Sequence, residues 1–116
     1  MRVARVVKAH TAQYPDAPAF KAGESISCGK TDPEAPGWIW CTGADGRSAW
    51  LPLRIIQRSE NVSDGRILED YDARELAAKA GEMLNILAIE SGWAWVENTS
   101  GRRGWIPGTF LEPISV

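Results

Sequence analysis

The chain has little of what most catalytic, metal or membrane chemistry requires. Among 116 residues there is one histidine, His10, and there are two cysteines, Cys28 and Cys41. Two widely spaced cysteines do not make the paired ligand pattern of a zinc site. No acid–base partner can be assigned to His10 from sequence, and no serine sits in a nucleophile motif. No metal, no cofactor and no enzymatic activity are expected. Long hydrophobic runs are missing too: nothing approaches the roughly 18 apolar residues of a membrane span. The N-terminal segment lacks the apolar core of a signal peptide, so the expectation is a cytoplasmic protein without a membrane partner. Charge of one sign is also scarce. Thirteen Lys/Arg face fifteen Asp/Glu, for a net charge of −2. Residues 1–57 carry seven basic and five acidic side chains, and residues 66–116 carry five and eight. Neither half has the concentrated basic field of a nucleic-acid binder.

What is present is tryptophan, six in all, and a repeat that places it. Gly37-Trp38-Ile39-Trp40 returns 55 residues later as Gly92-Trp93-Ala94-Trp95. Gly46-Arg47 returns as Gly101-Arg102, and Trp50-Leu51-Pro52 as Trp105-Ile106-Pro107. Upstream, Lys21-Ala22-Gly23-Glu24 matches Lys79-Ala80-Gly81-Glu82, and Arg5-Val6-Val7 matches Arg66-Ile67-Leu68. The offset grows toward the start, as insertions in loops would cause. In sequence order the repeat divides the chain into residues 1–57, a connection over 58–65, and residues 66–116.

Period and punctuation make both units β. Ser25-Ile26-Ser27-Cys28 alternates polar and apolar, as a half-buried strand does. Asp45-Gly46 and Ser100-Gly101 mark hairpin turns, and Pro52 and Pro107 end the returning strands because proline donates no ladder hydrogen bond. The stretch from Glu75 to Glu82 has helical propensity but is too short, and Gly81 interrupts it. Cys28 and Cys41 are expected to face the core as reduced thiols. The apolar residues on both faces of Met83–Ile89 call for extra cover, so the two units are expected to pack together.

The order of these features resembles the Src-homology-3 (SH3) family. Leu68-Glu69-Asp70-Tyr71-Asp72-Ala73 looks like its opening motif, Lys79-Ala80-Gly81-Glu82 like its diverging turn, and Gly104-Trp105-Ile106-Pro107-Gly108-Thr109-Phe110-Leu111 like its closing signature. The tandem arrangement is similar to bacterial proteins with two SH3 domains. The resemblance implies two small SH3-like barrels in one all-β chain. It also implies an aromatic groove at Tyr71, Trp93, Pro107 and Phe110 in the second repeat. In the first repeat the matching positions are His10, Trp38, Pro52 and Ile55, with Tyr14 nearby. Family members with such grooves bind extended proline-rich segments. The sequence departs from the pattern at the first tyrosine of the opening motif, which is Glu69 in one repeat and Lys8 in the other. Ile55 stands where an aromatic is expected, and Ala49 where glycine is.

Two readings of the tryptophans stand: Trp38 and Trp93 floor a groove, or they are consumed between the barrels. Trp50 and Trp105 are read as structural. Glu69, Asp70, Asp72 and Glu75 are either a solvated face or a landing site for a basic ligand residue. The leading functional expectation is an adaptor that binds a protein or peptide, proline-rich or basic. The alternatives are a structural module without a free groove, and a barrel that binds cell-wall or nucleic-acid ligands.

Overall fold

A computed structural model describes residues 2–58 and 63–114. Among the described residues, twelve strands follow in chain order: β1 (Arg2–Val6), β2 (Ala19–Phe20), β3 (Ser25–Thr31), β4 (Trp38–Gly43), β5 (Ser48–Pro52), β6 (Ile56–Arg58), β7 (Asp64–Ile67), β8 (Tyr71–Asp72), β9 (Met83–Glu90), β10 (Trp93–Glu97), β11 (Arg103–Pro107) and β12 (Leu111–Ile114). Single 3-10 turns at Leu53–Ile55 and Gly108–Phe110 are the only helical geometry among the described residues. The all-β class and the SH3-like barrel sheets are as expected. The stretch from Glu75 to Glu82 forms no helix and carries bridges and a turn instead.

The strand partners follow a different order from the sequence. One sheet runs β11-β10-β9-β1-β12, and the other runs β5-β4-β3-β7-β6. The chain forms two compact units, one of residues 1–16 with 74–116 and one of residues 17–73. The first strand of the chain therefore completes the C-terminal barrel, and the strand that opens the second repeat completes the other one. This corrects the division at 57 and 66 that sequence order implies. Arg58, Asp64 and Gly65 of the expected connection are strand residues, with Arg58 directly opposite Gly65 in the hairpin of β6 and β7; residues 59–62 lie outside the described residues.

The exchange is reciprocal down to single hydrogen bonds. At one diverging turn, the Val6 N–H donates to Glu82 O (2.9 Å) and Gly81 N–H donates to Val6 O (2.7 Å). At the other, Ile67 N–H donates to Glu24 O (2.9 Å) and Gly23 N–H to Ile67 O (2.7 Å). Gly23 and Gly81 sit at φ of 92° and 95°, a left-handed conformation that favours glycine at the turn. The 17–73 unit is inserted into a loop of its neighbour in sequence. Its two ends meet where Ala73 N–H donates to Pro18 O, and the host loop is closed by a two-bond bridge between His10 and Ala78.

Each unit has its own core. Ala4, Val6, Leu76, Ala78, Leu84, Ile86, Ala94, Val96 and Ile106 fill one, with Phe110 and Leu111 packed against it. Phe20, Ile26, Cys28, Ile39, Cys41, Ala49, Leu51, Ile55, Ile56 and Ile67 fill the other, with Tyr71 at its edge. Cys28 and Cys41 lie directly opposite each other on β3 and β4 as buried free thiols. Burial pushes the Cys41 thiol up from 9.0 to about 12, with the neighbouring Cys28 adding to the effect.

Candidate functional site

The groove residues of the resemblance separate into two sets once the strands are placed. In the 1–16/74–116 unit, Trp93 begins β10, directly opposite Pro107 at the end of β11. Alternation along β10 turns Ala94 and Val96 into the core and leaves Trp93 and Trp95 on the outer face, half-buried. The 3-10 turn after Pro107 sets Phe110 beside this pair. The remaining aromatic wall is His10, which follows β1. Its ring meets Trp93 edge-on at 5.9 Å between centroids and Phe110 at 5.7 Å. Tyr71, which sequence order assigns to this groove, instead pairs with Phe20 in the other unit.

Polar contacts hold His10 in place. Its backbone exchanges two hydrogen bonds with Ala78 (2.9 and 3.0 Å). Its Nε2–H donates to Glu75 Oε1 at 3.0 Å, with the two side chains only 10% and 9% exposed. The same Glu75 oxygen accepts the Gln13 N–H at 3.3 Å, and the Glu75 N–H donates to Tyr14 O at 3.1 Å. Tyr14 itself is exposed. Glu75 is fixed in turn by β11. Trp105 N–H donates to Arg74 O and Leu76 N–H donates to Trp105 O, at 2.9 and 3.0 Å. Gly104 makes that approach possible, since a Cβ there would lie 2.7 Å from Leu76 N and 2.8 Å from Glu75 C. Sequence reading placed Gly104 only as part of a closing signature and had no signal for its role in seating Glu75. Lys8 was visible only as a departure from the opening motif. It is exposed, and its ammonium stands 4.9 Å over the Phe110 ring.

The corresponding surface of the 17–73 unit is closed. Trp38 is only 7% exposed and Pro52 less than 2%, and Ile55 lies in the core. The position of Lys8 is taken here by Glu69, which is paired with Arg54 at 3.0 Å. The four acidic residues read from sequence are divided between the two units. Glu69, Asp70 and Asp72 belong to this unit, where Asp70 Oδ1 accepts the Ala22 N–H at 2.8 Å. Glu75 belongs to the other unit and is part-buried against His10. Trp105 is buried and meets Trp95 at a tilt, 5.3 Å between centroids, and Trp40 meets Trp50 edge-on at the same distance.

Among the described residues no group of three or more His, Cys, Asp or Glu side chains could hold a metal ion. No helix among them is long and apolar enough to cross a membrane.

In comparison with known proteins, residues 65–114 match the family model of a variant SH3 domain. That match follows sequence order and so spans both units, taking β7 and β8 from one and β9–β12 from the other. Curated relatives include human SH3 and PX domain-containing protein 2A, 32% identical over 82 residues that cover 57% of this chain and 7% of the relative. Human epidermal growth factor receptor kinase substrate 8-like protein 3 is 38% identical over 52 residues, covering 42% and 9%. Human proline-serine-threonine phosphatase-interacting protein 1 is 43% identical over 53 residues, covering 42% and 12%. The chain thus spans about a tenth of the length of these relatives. No solved structure matches it.

Proposed function

We propose that the protein is a non-catalytic adaptor module that binds an extended peptide segment of a partner protein in the groove formed by His10, Trp93, Pro107 and Phe110. One observation carries the reading: Trp93, Pro107 and Phe110 are partly exposed in front of a largely covered His10, whereas Trp38 and Pro52 of the other unit are buried. Flat rings fixed by β-strands and by the His10–Glu75 hydrogen bond suit an extended ligand, because little freedom of the site is lost on binding. The SH3-type match and a relative named for interaction with a phosphatase support a protein-binding role.

A structural role is favoured for the 17–73 unit, whose groove positions Trp38, Pro52 and Ile55 are buried. Binding of proline-rich peptides to the wild type and to Trp93→Ala and Trp38→Ala variants tests the proposal. Trp93→Ala removes most of the affinity, while Trp38→Ala affects stability. Equal loss of affinity in both, or in neither, contradicts it.

A further inference from the structure

We infer that Cys28 and Cys41 form a redox modification site, at which a small-molecule disulfide converts the two thiols into a reversible bridge between β3 and β4. Register carries the inference. Cys28 on β3 stands directly opposite Cys41 on β4, and both belong to the core of the 17–73 unit. The Cys28 N–H donates to Ser63 O at 2.7 Å, away from β4, so the two cysteines occupy a non-hydrogen-bonded pair. That is the closer of the two antiparallel arrangements, with about 4.5 Å between Cα atoms, just inside the span of a disulfide. The β3–β4 register shifts between Cys28 and Thr31, so the ladder is locally disrupted beside the pair.

Packing decides what oxidation yields. Cys28 is 8% exposed and Cys41 0%, so a reagent meets Cys28 first, when the strands open locally. The Cys28 thiolate attacks one sulfur of the small disulfide, forming a mixed disulfide and expelling one small thiolate. That adduct does not fit the closed core, since even a Cβ at Gly65 would lie 3.0 Å from Cys28 Sγ. Cys41 is the thiol directly across, and the share of its upward shift that comes from the Cys28 thiol is gone once Cys28 is in the adduct. The Cys41 thiolate attacks Cys28 Sγ, the mixed bond breaks, and the second small thiolate leaves with its electron pair. The protons given up by the two cysteines end on the two released thiolates. Two protein thiols are oxidised and one small disulfide is reduced. The bridge is compact where the adduct is bulky, so the core closes on the bridge.

The test incubates the intact folded chain with an excess of oxidised glutathione, quenches exchange with acid and reads the mass. The wild type is expected to lose two hydrogens slowly, with no lasting glutathione adduct, and to recover them on reduction. Cys41→Ala should stop at one glutathione, because no second thiol can displace it. Amide shifts in β3, β4 and β7 should move in the oxidised wild type while its spectrum stays dispersed. A lasting adduct on the wild type, a disulfide-linked dimer or two thiols that remain free overturns the inference. Oxidised protein whose 17–73 amides collapse to unfolded shifts overturns it as well. None of these outcomes bears on the groove.

Discussion

Val6 and Ile67 make the same pair of backbone hydrogen bonds to a diverging turn, each to the turn that sequence order assigns to the other. The two strands have the same inward pattern, so patterning alone does not choose their partners. Side-chain volume differs between them. Two residues before Ile67 stands Gly65, and two before Val6 stands Ala4. A Cβ at Gly65 would lie 3.0 Å from Cys28 Sγ and 3.0 Å from Ile56 Cγ2. Ala4 is fully buried opposite Leu84, where its methyl fills the core. Exchanging the strands back would press Ala4 against Cys28 and leave a methyl-sized gap beside Leu84.

Gly65→Ala should therefore destabilise the 17–73 unit by about 1–3 kcal/mol, the usual range for overpacking a filled core. Ala4→Gly should cost about 1 kcal/mol in the other unit. Chemical denaturation of each variant measures both. A stabilising Gly65→Ala would contradict this account of strand choice, because glycine in a strand is otherwise unfavourable.

The fold class, several of the strands, the hairpin turns and the burial of Cys28, Cys41 and Trp105 were legible in the sequence, since period, Gly/Pro punctuation and the tryptophan repeat all report local structure. Strand partnership was not. The close fit of Gly65 against Cys28 and Ile56 exists only after β3, β6 and β7 are in place. The site inherits the same limit. Trp93, Pro107 and Phe110 were named because they belong to one continuous segment. Tyr71 was named in place of His10 because its neighbour in sequence is not its neighbour in space. Glu75 looked like one of four clustered acids, yet it belongs to one unit and the other three to the second.

Gly104→Ala should damage the groove indirectly. An added Cβ clashes with the backbone of Glu75 and Leu76 rather than with a side chain that could turn away. About 3 kcal/mol of destabilisation is expected, at the upper end of overpacking costs. Release of Glu75 should also loosen His10. Thermal unfolding reads the first effect, and loss of the His10–Glu75 contact in NMR spectra reads the second. A variant as stable as the wild type would contradict the close approach.

Trp105→Ala should unfold its unit, unlike a substitution at Trp93. Trp105 is buried, packs against Trp95, and carries the backbone bonds to Arg74 and Leu76. Truncation of a buried tryptophan typically costs about 3–5 kcal/mol. Equilibrium unfolding of both variants tells the two roles apart. Equal destabilisation would place Trp93 in the packing of the protein.

Cys41 should make stability fall at alkaline pH. Its thiol ionises near 9.0 when solvated and at about 12 in the fold, so the folded chain keeps a proton that the unfolded chain has lost. This contribution is fully present below pH 9 and declines as pH rises from 9 toward 12. Cys41→Ala should flatten that limb of the stability profile. Native protein at neutral pH should also react slowly with thiol reagents. Rapid labelling of both cysteines before unfolding would contradict their burial.

The most direct measurement is the set of nuclear Overhauser contacts among aromatic rings in the intact chain, which has one histidine, two tyrosines and two phenylalanines. Cross-peaks from the His10 ring to Trp93 and to Phe110 are the result the exchanged strands require. Cross-peaks from Tyr71 to Trp93 and Phe110, with none from His10, would show that each repeat closes on itself and would contradict the account.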